Sequence, residues 1–496
     1  MITKLHHPDP GAYTIWDGVY GNDDDDEVFS SVLQDGNDVL AVGEVRSFGK
    51  SKPSLVFVRF DHRGREVFEK YYKVSGLRKV VKMLAHDDGY LVMANKVEAN
   101  ARNVVWLGFF DKDLNVRSQK IVKDNSFDLS ATDITSSADN SGFAISVTTE
   151  KKIGEGKDSV IRKNASVYLL DEKGNELSSR GYFLGIDNEI LSLSVSKSKG
   201  GKSGYIATGY FENQSGKDIG WVLRLDDNLS LIWQKEHSRG LSANLNSSSD
   251  YDDRSVVVLG DVTLANSSLK GSWVMMLDKE SGDIIWQRYY YGETGHHNYV
   301  GRDVNVNKDG LIDVVMMAES TLGMPDISVS DDAHEVGDLD ADVPENMSYA
   351  HHLVLSPRGI TMSGEAYYYG RGVSVSQMVE SDNGNKLLVG SSVVRVKNKV
   401  VDDAGGNDDN VKTPLKDYDG VNLPDVDLSD KAKAGLAMLK NKFKNHDELG
   451  LADKSDDHDM GHNKESDNKN SKGNVVTRNG WVVVGNSSDA YTDPCK

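Results

Sequence analysis

Short apolar runs alternate with turns rich in Asp, Asn and Gly along most of the chain. Between Glu27 and Val74 the apolar runs cover residues 28–33, 39–43, 55–60 and 66–72. The breaks between them include Gln34-Asp-Gly-Asn-Asp and Asp61-His-Arg-Gly. Runs of strand length separated by such turns predict one four-stranded antiparallel sheet.

The same order recurs. First strands are expected near Val28, Lys79, Ala131, Ile190, Leu241, Tyr299 and Val373. A repeat of roughly 50–60 residues with four strands per copy points to propeller blades. The seventh copy shows only Val373-Ser-Val-Ser and Lys386-Leu-Leu-Val-Gly before the pattern breaks, and Gly480-Trp-Val-Val-Val then resembles a third strand. The missing fourth strand is expected at the other end of the chain, in Tyr13-Thr-Ile-Trp-Asp-Gly-Val-Tyr-Gly. Closing the last blade with both termini removes an open sheet edge. The expected fold is therefore all-β: a β-propeller of about seven four-stranded antiparallel blades, built from residues 13–400 together with 473–490.

The segments Gly220-Trp-Val-Leu-Arg-Leu-Asp … Leu231-Ile-Trp-Gln-Lys and Ser272-Trp-Val-Met-Met-Leu-Asp … Ile284-Ile-Trp-Gln-Arg share a theme: a strand ending in Leu-Asp, a turn, then a strand with Trp. They resemble the blades of bacterial delta-60-type and quinoprotein-like β-propeller repeat proteins. That resemblance implies the fold and an envelope or secreted setting, and no single activity.

Two acidic or polar insertions interrupt the repeat. Residues 324–347, in the sixth blade, carry eight Asp or Glu and no Lys or Arg. Residues 401–472, in the seventh, have the composition of a largely disordered segment. One short amphipathic helix is expected within it near 429–446. Ser429 can cap it, and Ala432, Leu436, Leu439 and Phe443 share one side. Leu436, Leu439 and Phe443 are the candidate contacts for a protein partner, the other reading being a helix docked on its own propeller.

Charge and composition narrow the field. The formal net charge is −20, which argues against a nucleic-acid or anionic-membrane binder. The single cysteine, Cys495, excludes an internal disulfide framework and a cysteine zinc site. No window is apolar for long enough to span a membrane, so no membrane insertion is expected. The first residues lack the apolar core of a signal peptide. The expected location, extracellular, periplasmic or cell-surface, rests on the resemblance.

The chemical candidates are few. Asp338, Asp340, Asp342 and Glu345 alternate with other residues and can offer oxygens to calcium, the one metal suggested, although the glycine of an EF-hand loop is missing. His296-His297, His351-His352 and His334 lack metal-ligand spacing and are expected to be exposed loop residues. Trp106, Trp221, Trp233, Trp273 and Trp286 recur at equivalent positions and are expected to pack between blades. No nucleophile elbow, zinc-protease or P-loop motif is present, and no cofactor other than calcium is implied. The expected role is a non-catalytic scaffold or structural subunit of a bacterial envelope or extracellular assembly, working through a protein partner or self-association, with carbohydrate a further ligand class. The alternative is a carbohydrate-active or quinoprotein-like enzyme with a polar, convergent site in a central funnel.

Overall fold

The computed structural model describes residues 2–5, 14–21, 25–47, 53–154, 159–197, 203–265, 269–292, 296–322, 347–367, 372–382, 384–398 and 474–485. Two compact units divide the chain: Met1–Val396 with Val476–Lys496, and Lys397–Val475. The first is the propeller. No helix occurs among the described residues.

The strands, in chain order, begin with β1 (Ile2–Leu5) and β2 (Thr14–Tyr20). Blade 1 is β3 (Asp25–Asp35), β4 (Asp38–Ser47), β5 (Ser54–Phe60) and β6 (Glu66–Tyr72). Blade 2 is β7 (Leu77–His86), β8 (Gly89–Val97), β9 (Asn103–Asp111) and β10 (Val116–Val122). Blade 3 is β11 (Asp128–Ser136), β12 (Gly142–Ile153), β13 (Val160–Asp171) and β14 (Glu176–Tyr182). Blade 4 is β15 (Asn188–Lys197), β16 (Ser203–Glu212), β17 (Asp218–Asp226) and β18 (Leu231–His237). Blade 5 is β19 (Ser242–Asp250), β20 (Ser255–Thr263), β21 (Lys270–Asp278) and β22 (Ile284–Gly292). Blade 6 is β23 (His297–Val306), β24 (Ile312–Ser320), β25 (Tyr349–Leu355) and β26 (Thr361–Tyr367). Blade 7 is β27 (Val373–Glu380), β28 (Lys386–Asn398), β29 (Asn474–Gly485) and the N-terminal β2.

The expected closure holds: Trp16 faces Val484 and Asp17 faces Val483 in an antiparallel ladder. The first strands of successive blades pack against one another, and β27 packs against β3, which completes a ring of seven. One feature was not expected. β1 pairs in parallel with β22 and gives blade 5 a fifth strand.

The burial follows from the ring. Third strands lie between neighbouring blades and are covered on both faces, so β9, β17 and β21 read as mostly apolar runs, with Arg224 and Ser272 buried among them and Arg224 donating to Lys279 O at 2.7 Å. Fourth strands meet solvent and carry Lys, Glu, Gln and Ser. Trp106, Trp221, Trp273 and Trp481 occupy matching places in the third strands and are at most 1% exposed. The turn after the third strand explains the recurring Leu-Asp. The Asp171 carboxylate accepts from Lys173 N and Asn175 N at 2.9 and 2.8 Å, and Asp226 accepts from Asn228 N and Ser230 N at 3.0 and 2.6 Å.

Fourth strands also clip onto the next blade's turn. Tyr182 Oη donates to Leu229 O at 2.7 Å, Trp233 Nε1 to Lys279 O at 2.8 Å and Trp286 Nε1 to Pro357 O at 2.9 Å. Trp233 and Trp286 are half-buried there, so these two tryptophans bridge blades as well as packing.

Candidate functional site

Each first strand carries a β-bulge at the same level, where the strand nearest the axis bends. The second strand passes close by, and glycine sits opposite in several blades. A Cβ at Gly43 would lie 1.9 Å from Val28 O, and one at Gly390 would lie 1.7 Å from Ser374 O. The residues just after the bulges are Ser31, Lys82, Asp133, Ser192, Ser247, Asp303 and Gln377, one from each blade.

These side chains form a polar girdle. Met83 N donates to Ser31 Oγ at 3.0 Å, Leu193 N to Asp133 Oδ2 at 2.9 Å and Val304 N to Ser247 Oγ at 3.3 Å. Met378 N donates to Asp303 Oδ2 and Val32 N to Gln377 Oε1, both at 3.0 Å. In each case the acceptor side chain belongs to one blade and the amide to the next. The repeated geometry requires that the first strands all run in the same sense. It also gives the buried amides of the ring a side-chain partner where no ladder partner exists.

Lys82 breaks the rule. It cannot accept, so it donates to Asp133 Oδ1 at 2.8 Å, and Ile134 N takes the same oxygen at 2.8 Å. Asp133 and Asp303 both act on Lys82 and raise its pKa against the opposing effect of burial, which is the largest influence. Burial raises the Asp303 pKa, and its hydrogen bond from Met378 and the charge of Lys82 work the other way. One cation and two carboxylates from blades 2, 3 and 6 therefore meet at the level of the girdle. Their oxygens are already engaged by amides and hydroxyls, so the cluster fits a polar ligand better than a metal ion.

A second buried cluster joins blades 6 and 7. Lys386 Nζ lies 2.7 Å from Asp313 Oδ2 and 3.2 Å from Glu380 Oε1, and His352 Nε2 lies 2.8 Å from Asp313 Oδ1. Asn307 Nδ2 donates to Asp313 Oδ2 at 3.1 Å. Desolvation would raise the Asp313 pKa, but His352 and Lys386 together hold it below the ordinary carboxylate value.

The histidines require a correction. His297, His351 and His352 are buried in β23 and β25, not exposed in loops. His297 Nε2 pairs with Met347 O at 2.9 Å, and His351 packs against the rings of Tyr299 and Tyr349. Burial pushes the His351 pKa down to about 3. The two neighbours in β25 do point to different surroundings, as strand alternation requires.

The calcium candidates Asp338, Asp340, Asp342 and Glu345, and the helix contacts Leu436, Leu439 and Phe443, lie outside the described residues, as does His334. Among the described residues no group of three or more His, Cys, Asp or Glu is arranged to hold a metal ion. No helix there is long and apolar enough to cross a membrane.

The girdle was not anticipated. Its members are three Ser, two Asp, one Lys and one Gln, so no single residue type marks the position in every blade. The only available signal was a polar residue a few positions into each first strand.

The connections between second and third strands all leave one face, because the first strands run in one sense and each blade is a simple meander. Three of them depart from the regular blade: the long β12–β13 hairpin, the connection from β24 to β25, and the connection from β28 to β29.

No family model matches the chain, and no curated protein matches it. The chain is similar to solved propeller structures. One is an acylaminoacyl peptidase of Pyrococcus horikoshii, with 9% identity and a TM-score of 0.40, covering 73% of this chain and 49% of that one. Another is the β-propeller domain of the Trilobed protease from Pyrococcus furiosus, with 7% identity and a TM-score of 0.39, covering 74% and 89%. A third is an α-L-arabinanase of Penicillium chrysogenum in complex with arabinobiose, with 12% identity and a TM-score of 0.39, covering 61% and 92%. The match spans about half the length of the first of these. The propeller assignment stands on the strand topology itself, and no delta-60 or quinoprotein family is matched. The expectation of a chain without catalytic activity is corrected: an acylaminoacyl peptidase and an α-L-arabinanase are among the similar structures.

Proposed function

We propose that the propeller is an interaction platform, and that its working face is the one carrying the connections between second and third strands. The observation that carries this reading is that the three departures from the regular blade all leave that face. A ring of seven sheets clasped at the axis is a rigid base, and rigid bases carry their binding residues on loops. The test compares the full chain with a variant in which residues 401–472 are replaced by a short Gly-Ser linker. The full chain is expected to form a stoichiometric complex, identified in native cells and rebuilt from purified components, that the variant does not form. Retention of every complex by the folded variant overturns the reading.

Lys82 favours a second reading. It is the one cation of the girdle, and it donates to the next blade where Ser31, Asp133, Ser247, Asp303 and Gln377 accept from theirs. We propose that it answers to a polar small molecule entering along the axis. The check is a ligand-induced rise in thermal midpoint that Lys82→Gln abolishes; an equal rise in both proteins removes this reading.

A further inference from the structure

The tip of blade 3 differs chemically from the rest of this acidic chain. Residues 151–153 of β12 and 160–164 of β13 run past their sheet neighbours, because the ladder with β11 ends at Glu150 and the ladder with β14 ends at Ala165. Within this two-stranded ribbon Lys151 lies directly opposite Arg162, and Ile153 lies directly opposite Val160. Alternation puts all four on one face. Ile153, Val160 and Ile161 are 53%, 48% and 55% exposed.

The arrangement is costly for an isolated chain. Like charges directly opposite across a ladder repel. Arg162 is relieved by Asp187, 3.8 Å away, and Lys151 by the Phe127 ring, 5.7 Å from its ammonium. Neither contact covers the apolar pair. On the β13 edge the Lys163 amide donates to Asp187 at 3.0 Å and the Lys163 ammonium pairs with Glu189 at 2.5 Å, whereas the β12 edge beyond Glu150 has no ladder partner among the described residues. A ribbon with Lys151 and Arg162 on one face and that open edge suits an extended acidic segment, which adds backbone bonds along β12 and carboxylates opposite the cations.

The chain supplies such a segment. Residues 324–347 carry eight carboxylates and no Lys or Arg, and Asp338-Leu-Asp-Ala-Asp-Val alternates acid with apolar, the pattern of a strand with one charged and one greasy side. Its connection joins β24 to β25 in blade 6, on the same face as the ribbon. We propose that the ribbon of blade 3 takes this segment from a second copy of the chain. The ribbon and the strand ends that flank the segment, Ser320 and Tyr349, lie on one face, so a twofold axis in that plane lets two copies exchange both contacts. The product is a closed, face-to-face dimer. The inference rests on the platform reading and names its partner as the chain itself.

Sedimentation of the full-length protein tests it. The expected result is a dimer at low salt that dissociates at high salt, because the attraction is between exposed charges. The double variant Lys151→Glu, Arg162→Glu is expected to be monomeric at both, with an unchanged thermal midpoint that shows an intact ring. A labelled peptide of residues 324–347 is expected to bind the full chain and to bind the double variant at least about tenfold more weakly. A monomeric wild type at low salt, a dimer indifferent to the double variant, or a peptide that does not bind overturns the inference. Those outcomes leave the platform reading standing, since that reading falls on the 401–472 replacement instead.

Discussion

Gln377, in the last first-position strand of the ring, accepts a hydrogen bond from the backbone of Val32 in the first one, at 3.0 Å across 345 positions of sequence. Its Oε1 also takes the hydroxyl of Ser31 at 2.7 Å. The ring is thus fastened twice where its ends meet, by this clasp near the axis and by the β2–β29 ladder at the rim. Removing the clasp leaves a buried amide and a buried hydroxyl without their acceptor. Gln377→Ala is expected to lower stability by about 2–3 kcal/mol. Gln377→Glu, which keeps an acceptor, is expected to lose less. Urea unfolding of the three proteins checks the order.

The rim fastening has a different signature. Without β2, the edge of β29 faces solvent as an unpaired row of amides and carbonyls. A chain lacking residues 1–20 is expected to aggregate at concentrations where a chain lacking only residues 1–5, and so only the β1 strand on β22, stays dispersed. Light scattering on heating reads this directly, and equal behaviour of the two chains shows that β2 is not needed to protect the edge.

Two tryptophan classes separate by burial. Trp221 is fully enclosed between blades, whereas Trp233 is half-buried and holds the next blade's turn through Lys279 O. Trp221→Ala is expected to cost about 3–5 kcal/mol, the usual range for emptying an aromatic core site. Trp233→Ala removes less buried area and one hydrogen bond, and about 1–2 kcal/mol is expected. Equal losses in chemical denaturation overturn the distinction.

The elements that could be read from the chain are those whose signal repeats. Third strands are buried on both faces and appear as mostly apolar runs, and the Asp carboxylate that ties each following turn makes Leu-Asp recur. Glycines such as Gly43 and Gly390 recur because the bulge opposite leaves no room for a side chain. The girdle stayed hidden for the converse reason. An accepting atom is all that the next blade's amide needs, so Ser, Asp and Gln serve equally and leave no shared letter. Absence of metal-ligand spacing does not place a histidine in an exposed loop: His351 and His352 are buried in β25, where Asp313 and two tyrosine rings accommodate them. The pairing of β1 with β22 depends on contacts between distant segments that no local pattern records.

His351 also sets a pH dependence. Its ordinary value of 6.5 falls to about 3 in the folded chain through burial. Between these values the unfolded chain binds a proton that the folded chain does not. Stability is therefore complete above about pH 6.5 and falls as the solution is acidified towards pH 3, by about 1.4 kcal/mol per pH unit. His237, lowered to about 4 by burial and then by Lys235, acts in the same direction. Asp313 also loses its contribution on acidification, but only below the ordinary carboxylate value. His351→Phe keeps a ring of similar size and removes the first effect. Its stability is expected to vary less than the wild type's between pH 6.5 and 4, as measured by urea midpoints across that range.

Lys82 and Asp133 divide the girdle's structural work unequally. Asp133 holds Leu193 N across the blade boundary, Ile134 N in its own strand and the Lys82 ammonium. Truncating it strands two buried amides and leaves the half-buried Lys82 without its nearest counter-charge, and with about 1–3 kcal/mol for each unsatisfied amide a loss of about 3–5 kcal/mol follows. Asp133→Ala is expected to fall in that range. Lys82→Gln removes the cation, but both amides keep their carboxylate oxygens. The lost ion pair is offset by the desolvation no longer required, so a change within about 1 kcal/mol is expected. Urea unfolding of both variants decides the point. If Lys82→Gln is as damaging as Asp133→Ala, the lysine is a structural member of the ring, and its departure from the accepting pattern needs no ligand to account for it.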